Sequence, residues 1–177
     1  MTATACSSTP DVPPPSGSTA PSDGAALQLR PVVEVVPRSA AAWEQTELTC
    51  ADRGAELRDC VEAALEAPRI VLLGHARDKY VLGARIVDAS DVEIAGAVTD
   101  PPPSSGWSVS VNLTADGTAA FETATENTVG SRIAIVVDGR IMSAPTVQTP
   151  IASGILVVTS GLTEREARSL ASRLDPG

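Results

Sequence analysis

Alternation of apolar and polar positions is clearest at Trp107-Ser-Val-Ser-Val-Asn-Leu113, where Trp107, Val109, Val111 and Leu113 share one parity and Ser108, Ser110 and Asn112 the other. A period of two marks a strand with one packed face and one wet face. The period then lengthens: residues 116–126 read as a helix presenting Ala120, Phe121 and Ala124 inward, with Glu122 and Glu126 on its solvated side. A second helix comes last. Thr163 and Glu166 have the spacing of a capping box, and Ala167, Leu170, Ala171 and Leu174 recur at i, i+3, i+4 and i+7. Between the two helices Asp138-Gly139 separates two apolar runs. A two-residue Asp-Gly loop predicts a tight hairpin, because both turn positions need φ > 0.

Upstream, Leu27 to Val36 reads as extended, since Val32, Val33, Val35 and Val36 are β-branched, and Pro37 ends it. Glu56 to Ala67 has Leu57, Cys60, Val61, Ala64 and Leu65 at helical spacing and stops before Pro68. Arg69 to Leu73 and Tyr80 to Leu82 are short strands, joined as a hairpin by the charged turn Gly74 to Lys79. From Asp88 to Ala97 the pattern is mixed, with Ser90-Asp91 placed to cap a short helical turn. This order of elements predicts an α+β fold, helices packed on one face of a largely antiparallel sheet. Trp107 and Phe121 should share its core.

The stretch Arg132 to Pro145, with its Asp-Gly turn and Ser143-Ala-Pro145, and its continuation Gly154 to Ala167 resemble the SecD family, accessory subunits of the bacterial Sec protein-export channel. The similar part is the extracytoplasmic domain between that family's first two membrane spans. Gly106-Trp107 with Val109, Val111 and Leu113, then Gly117, Phe121, Thr125 and Val129-Gly130, continue the resemblance upstream. Lys79-Tyr80-Val81-Leu82-Gly83 is similar to a further family motif, with Ala84 where the family has Pro, and Asp91-Val92 with Ala95 and Ala97 extends it. It runs from about residue 60 to residue 177. It implies the same α+β architecture and a non-catalytic role outside the membrane, contacting translocating polypeptide or Sec components. The membrane helices that carry the family's proton pathway have no counterpart in this sequence. The alternative is an envelope lipoprotein using the same fold for an unrelated interaction.

Composition narrows the classes further. Of 177 residues 43% are hydrophobic but only 2% aromatic, so one domain is expected, with a core of Val, Ile, Leu and Ala around a few rings. The net charge is −9, and the 12 Arg and one Lys are scattered along the chain. No basic footprint for phosphate backbones exists, and nucleic acid is excluded as a partner. No window of about 18 uninterrupted apolar residues predicts a membrane-spanning helix.

Residues 1–26 are rich in Ser, Thr and Pro and cannot form a core, so they read as a disordered tether ahead of a single domain at 27–177. Cys6, preceded by small residues and followed by that tail, is similar to the lipidated cysteine of a bacterial lipoprotein. Only five residues precede it, too few for a signal peptide. Two readings follow: a start codon further upstream with lipid-anchored Cys6 at the membrane surface, or an incidental cysteine in a tail of a soluble secreted or cytoplasmic chain. Cys50 and Cys60 bracket a polar loop, and with Cys6 lipidated they leave an even count. A disulfide between them is expected in an oxidising compartment; two free apolar thiols are the alternative. One such pair with a single His does not give a zinc site.

Catalytic chemistry is sparse. His75 is the only histidine, so any Ser-His or Cys-His scheme must use it, and it lies in a polar turn. Gly-rich phosphate loops are absent. Asp138 is accounted for by its turn. No catalytic residue, metal or cofactor is assigned. The candidate contact surfaces are the wet face of the Trp107 strand and the loop Asp100-Pro-Pro-Pro-Ser-Ser-Gly106.

Overall fold

The computed structural model describes residues 26–49, 66–74, 76–103 and 105–177. Cys6, Cys50, Cys60, His75, the tether and most of the helix expected at 56–67 lie outside the described residues. Nine strands and three helices are described: β1 (Leu27–Val36), α1 (Ala42–Gln45), β2 (Ile70–Leu73), β3 (Lys79–Leu82), β4 (Val87–Asp88), β5 (Val92–Thr99), β6 (Trp107–Leu113), α2 (Ala115–Asn127), β7 (Ile133–Val137), β8 (Arg140–Ser143), β9 (Ile155–Leu162) and α3 (Glu164–Leu174). The fold is α+β and every described strand pair is antiparallel. The strands divide, however, between two sheets. One runs β2-β3-β1-β7-β8 with β4 also on β1, and the other runs β5-β6-β9.

β1 organises the larger sheet because it serves two partners along one side. Gln28 and Leu29 pair with β4, Val32 pairs with Leu82 of β3, and past a register shift at Val33 residues Glu34 to Val36 continue along β3. Pro31 falls between those two partners, a place where its missing N–H breaks no ladder bond on that side. On the other side Leu27 to Pro31 pair with β7. All five residues of β7 are buried. Its odd positions Ile133, Ile135 and Val137 enter the main core, whereas Ala134 and Val136 enter a second core with Ile70, Leu72, Leu82 and Ile141. Burial on both faces explains why this strand is an unbroken apolar run rather than an alternating one.

The predicted hairpin forms, with Asp138 at φ 49 and Gly139 at φ 72 joining β7 to β8. So does the hairpin of β2 and β3. The capping box at α3 is present: the Thr163 amide and hydroxyl donate to Glu166 at 2.9 and 2.6 Å. Those bonds from Thr163 hold the exposed Glu166 carboxyl below its ordinary range. Ala167, Ala171 and Leu174 dock on β5 and β6 as the spacing requires.

Two expectations need correction. The buried side of α2 is Gly117, Phe121 and Thr125, and Ala120 is exposed. Its orientation is set by Gly117, where an added Cβ would stand 2.7 Å from Cβ of Asp91, so the helix turns this bare position toward the chain before β5. The short 3₁₀ turn Ala89–Asp91 is capped by Asp88, whose Oδ1 accepts the Ser90 amide at 2.8 Å, while Asp91 accepts the Asp88 amide at 3.0 Å. Burial pushes the Asp88 carboxyl up, but the bonds from Ser90 and the Arg85 charge outweigh it and hold that carboxyl below its usual range.

Candidate functional site

The smaller sheet has two unlike faces. Ala95, Val109, Val111, Leu156 and Val158 are buried toward α3 and the main core. The other face follows from the register, because residues directly opposite one another point the same way. Ile94 and Ile155 flank Asn112, Val98 lies opposite Ser108, and Val157 lies opposite Ser110. The wet face of the Trp107 strand is therefore polar only along its centre. Ile94, Val98, Ile155 and Val157 stand 52, 43, 54 and 52% exposed on either side. The sequence reading of β6 alone missed them; the apolar parity of β5 and β9 becomes informative only once their register with β6 is known. Val157 also lines an apolar cavity of about 210 Å³ with Phe121, Ile133, Ile135, Val147 and Ile151.

The Asp100–Gly106 loop connects β5 to β6 at one end of the same sheet, so the two candidate surfaces are contiguous. Asp100 ties that end together. One carboxylate oxygen accepts the Ser108 hydroxyl, the other accepts the Gly161 amide at 3.2 Å, and the Asp100 amide donates to Gly106 at 2.9 Å. Ser108 is buried by this bond although its parity is that of the wet face. Gly106 is required by closeness: a Cβ there would meet Asp100 Oδ2 at 2.9 Å and Gly161 Cα at 3.3 Å. Trp107 is half-buried against the core, with the Arg168 guanidinium 5.7 Å from its ring centre.

Charged groups elsewhere are structural in their placement. Arg30 is fully buried in β1, donating from Nε to Gln28 at 2.8 Å and from Nη1 to the carbonyls of Ala67 and Gly83 at 2.9 and 2.7 Å. Burial lowers its pKa, though an arginine starts high enough to stay charged. Lys79, also buried, donates to the Trp43 carbonyl at 2.6 Å and lies 3.6 Å from the Trp43 ring centre, fixing α1 to the end of β3. Asp138 does more than turn the chain. It accepts the Ala26 amide at 3.0 Å and pairs with Arg173 of α3. Among the described residues no group of His, Cys, Asp and Glu is arranged to hold a metal ion, and no helix is long and apolar enough to cross a membrane.

Fold and surface together define an antiparallel two-sheet α+β domain with one exposed, partly apolar sheet face. Comparison with known proteins gives its family. The model of the SecDF P1 head subdomain matches residues 68–177, and the chain belongs to that family. Protein translocase subunit SecD of Acetobacter pasteurianus is 40% identical over 91 residues, covering 51% of this chain and 17% of that relative. SecD of Streptomyces coelicolor is 32% identical over 104 residues, 56% of this chain and 18% of the relative. The chain thus spans under a fifth of the length of these curated relatives. Two solved SecDF structures align over 86% of the chain with TM-score 0.55. One is in a super-membrane-facing form, with 26% identity and 19% of its chain covered. The other, from work on SecDF as a membrane component that enhances protein export, shows 27% identity with 63% covered.

Proposed function

We propose that this chain is a non-catalytic accessory domain for protein export that works outside the cytoplasmic membrane and contacts translocating polypeptide or Sec components. The observation that carries the reading is the family match over residues 68–177, joined to an exposed sheet face whose Ile94, Val98, Ile155 and Val157 are available to a partner. Apolar side chains held at half exposure beside Ser110 and Asn112 suit loose, sequence-tolerant contact with unfolded chains, which expose apolar and main-chain groups together. Attachment belongs to the same proposal: lipidated Cys6 would hold the domain at the membrane, and a Cys50–Cys60 disulfide would form in that oxidising compartment.

Site-specific photocrosslinking tests the contact. A photoreactive phenylalanine analogue at Val157 should crosslink to an exported chain arrested in transit or to a Sec subunit, and the same probe at exposed Glu126 should not. Equal labelling from both positions would reject this surface. Fatty-acid labelling that persists in Cys6→Ser would reject the anchor, and free thiols at Cys50 and Cys60 in protein taken from the envelope would reject the disulfide.

A further inference from the structure

We infer that the open edge of β5 seats an extended polypeptide by strand addition; this rests on the export reading above and specifies which atoms make the contact. The phase of the β5–β6 ladder shows which main-chain groups are free. The Ala95 amide donates to Asp175 Oδ2 at 3.2 Å, so the polar groups of Ala95 face away from β6. Antiparallel ladders alternate residue by residue, which sends Ala97 and Thr99 the same way while Ile94, Gly96 and Val98 bond with β6. The Asp100 amide, donating to Gly106 at 2.9 Å, continues that phase one rung further.

Among the described residues no strand pairs with the outer side of β5. Other margins are engaged by the chain itself. Thr49 bonds both the amide and the carbonyl of Val71 on β2, at 2.6 and 3.0 Å, and the Ser143 hydroxyl donates to the Val158 carbonyl of β9 at 3.0 Å. Residues 94–99 read Ile-Ala-Gly-Ala-Val-Thr, with none of the lysines, prolines or charges that guard an exposed edge. A Cβ at Gly96 would meet nothing within 4 Å, so side chains of an added strand have room there.

Charge decides the occupant. Antiparallel self-pairing about Ala97 would set Thr99 of each copy against Ala95 of the other, whose amide Asp175 already holds, and each copy carries a net charge of −9. Like copies repel, whereas an extended segment bearing basic residues is attracted. Asp175 also marks where the open edge ends.

The test uses the full chain and a fluorescein-labelled nonapeptide of alternating Thr and Val with Lys at each end, followed by anisotropy and by amide hydrogen exchange. Ala97→Pro removes an outward N–H and spares the bonds to β6, so the Kd should rise about tenfold. Saturating peptide should slow exchange at Ala97 and Thr99 in the unaltered chain, a readout that stands even if Ala97→Pro fails to fold. Peptide bound equally well by folded Ala97→Pro, with Ala97 and Thr99 exchanging as before, would overturn strand addition and leave polypeptide binding intact. No binding to the unaltered chain would overturn both. Slowed exchange at these amides in concentrated protein without peptide would assign the edge to a second copy and overturn the inference.

Discussion

The two sheets handle polar and apolar groups in opposite ways. In the larger sheet both faces of β7 are buried and polar side chains have been drawn inside, with Arg30 satisfied by the carbonyls of Ala67 and Gly83 and Lys79 by the Trp43 carbonyl of α1. In the smaller sheet one face is buried and the other leaves four β-branched side chains about half exposed. The larger sheet leaves only Val33 and Leu73 exposed among its large apolar side chains, at separate places on β1 and β2, and its interior charges fix where the loops at Ala67 and Gly83 sit. Among the described residues the smaller one leaves apolar side chains exposed and the outer side of β5 without a strand partner, which is the arrangement expected of a contact surface.

The comparison can be broken at several points. The largest effect is expected at Phe121, buried between α2 and the main core: Phe121→Ala should cost about 3 to 5 kcal/mol in urea melts. A cost below about 1 kcal/mol would mean that the core does not join the two sheets as described. Arg30→Ala should cost about 2 to 4 kcal/mol, because it strands the Ala67 and Gly83 carbonyls. Arg30→Met, keeping the apolar stem, should lose clearly less. Equal losses from both would show that hydrogen bonding rather than packing of the stem holds Arg30 inside.

A smaller effect is expected at Asp88. Its folded carboxyl is held below the unfolded value near 3.9, so its contribution is present above about pH 4 and disappears as pH falls through the folded value. Asp88→Ala should therefore cost about 1 kcal/mol at pH 7 and less on acidification, in thermal melts across that range. A pH-independent deficit would rule out the charged cap. The smallest effect is expected at Ser110, on the outer face of β6, where alanine should change stability by less than about 0.5 kcal/mol. A damaging Ser110→Ala would mean that this face is covered.

Local signals were legible in the sequence, and pairings between distant segments were not. The β6 alternation, the Asp138-Gly139 turn and the Thr163 capping box are each decided within a few residues, and each forms as read. Division into two sheets depends on β1 meeting β3, β4 and β7, partners more than 40 residues away, for which no short-range pattern exists. The inward side of α2 was misjudged for a related reason. Small apolar Ala120 was favoured, but the tight approach of Asp91 selects Gly117, and that neighbour cannot be known from the helix alone. Trp43 gave no periodic signal, since its ring serves Lys79 rather than a core. Of the candidate surface, its polar centre was visible in β6, whereas its apolar flanks required the register.

Asp138 has a mechanical consequence. Its carboxylate holds the Ala26 amide at the entrance to β1 and the side chain of Arg173 in the last turn of α3, so the start of β1 and the end of α3 meet at the same corner. The order of the two segments is thereby coupled through one exposed side chain, so losing the Asp138 carboxylate loosens the start of β1 and the end of α3 together.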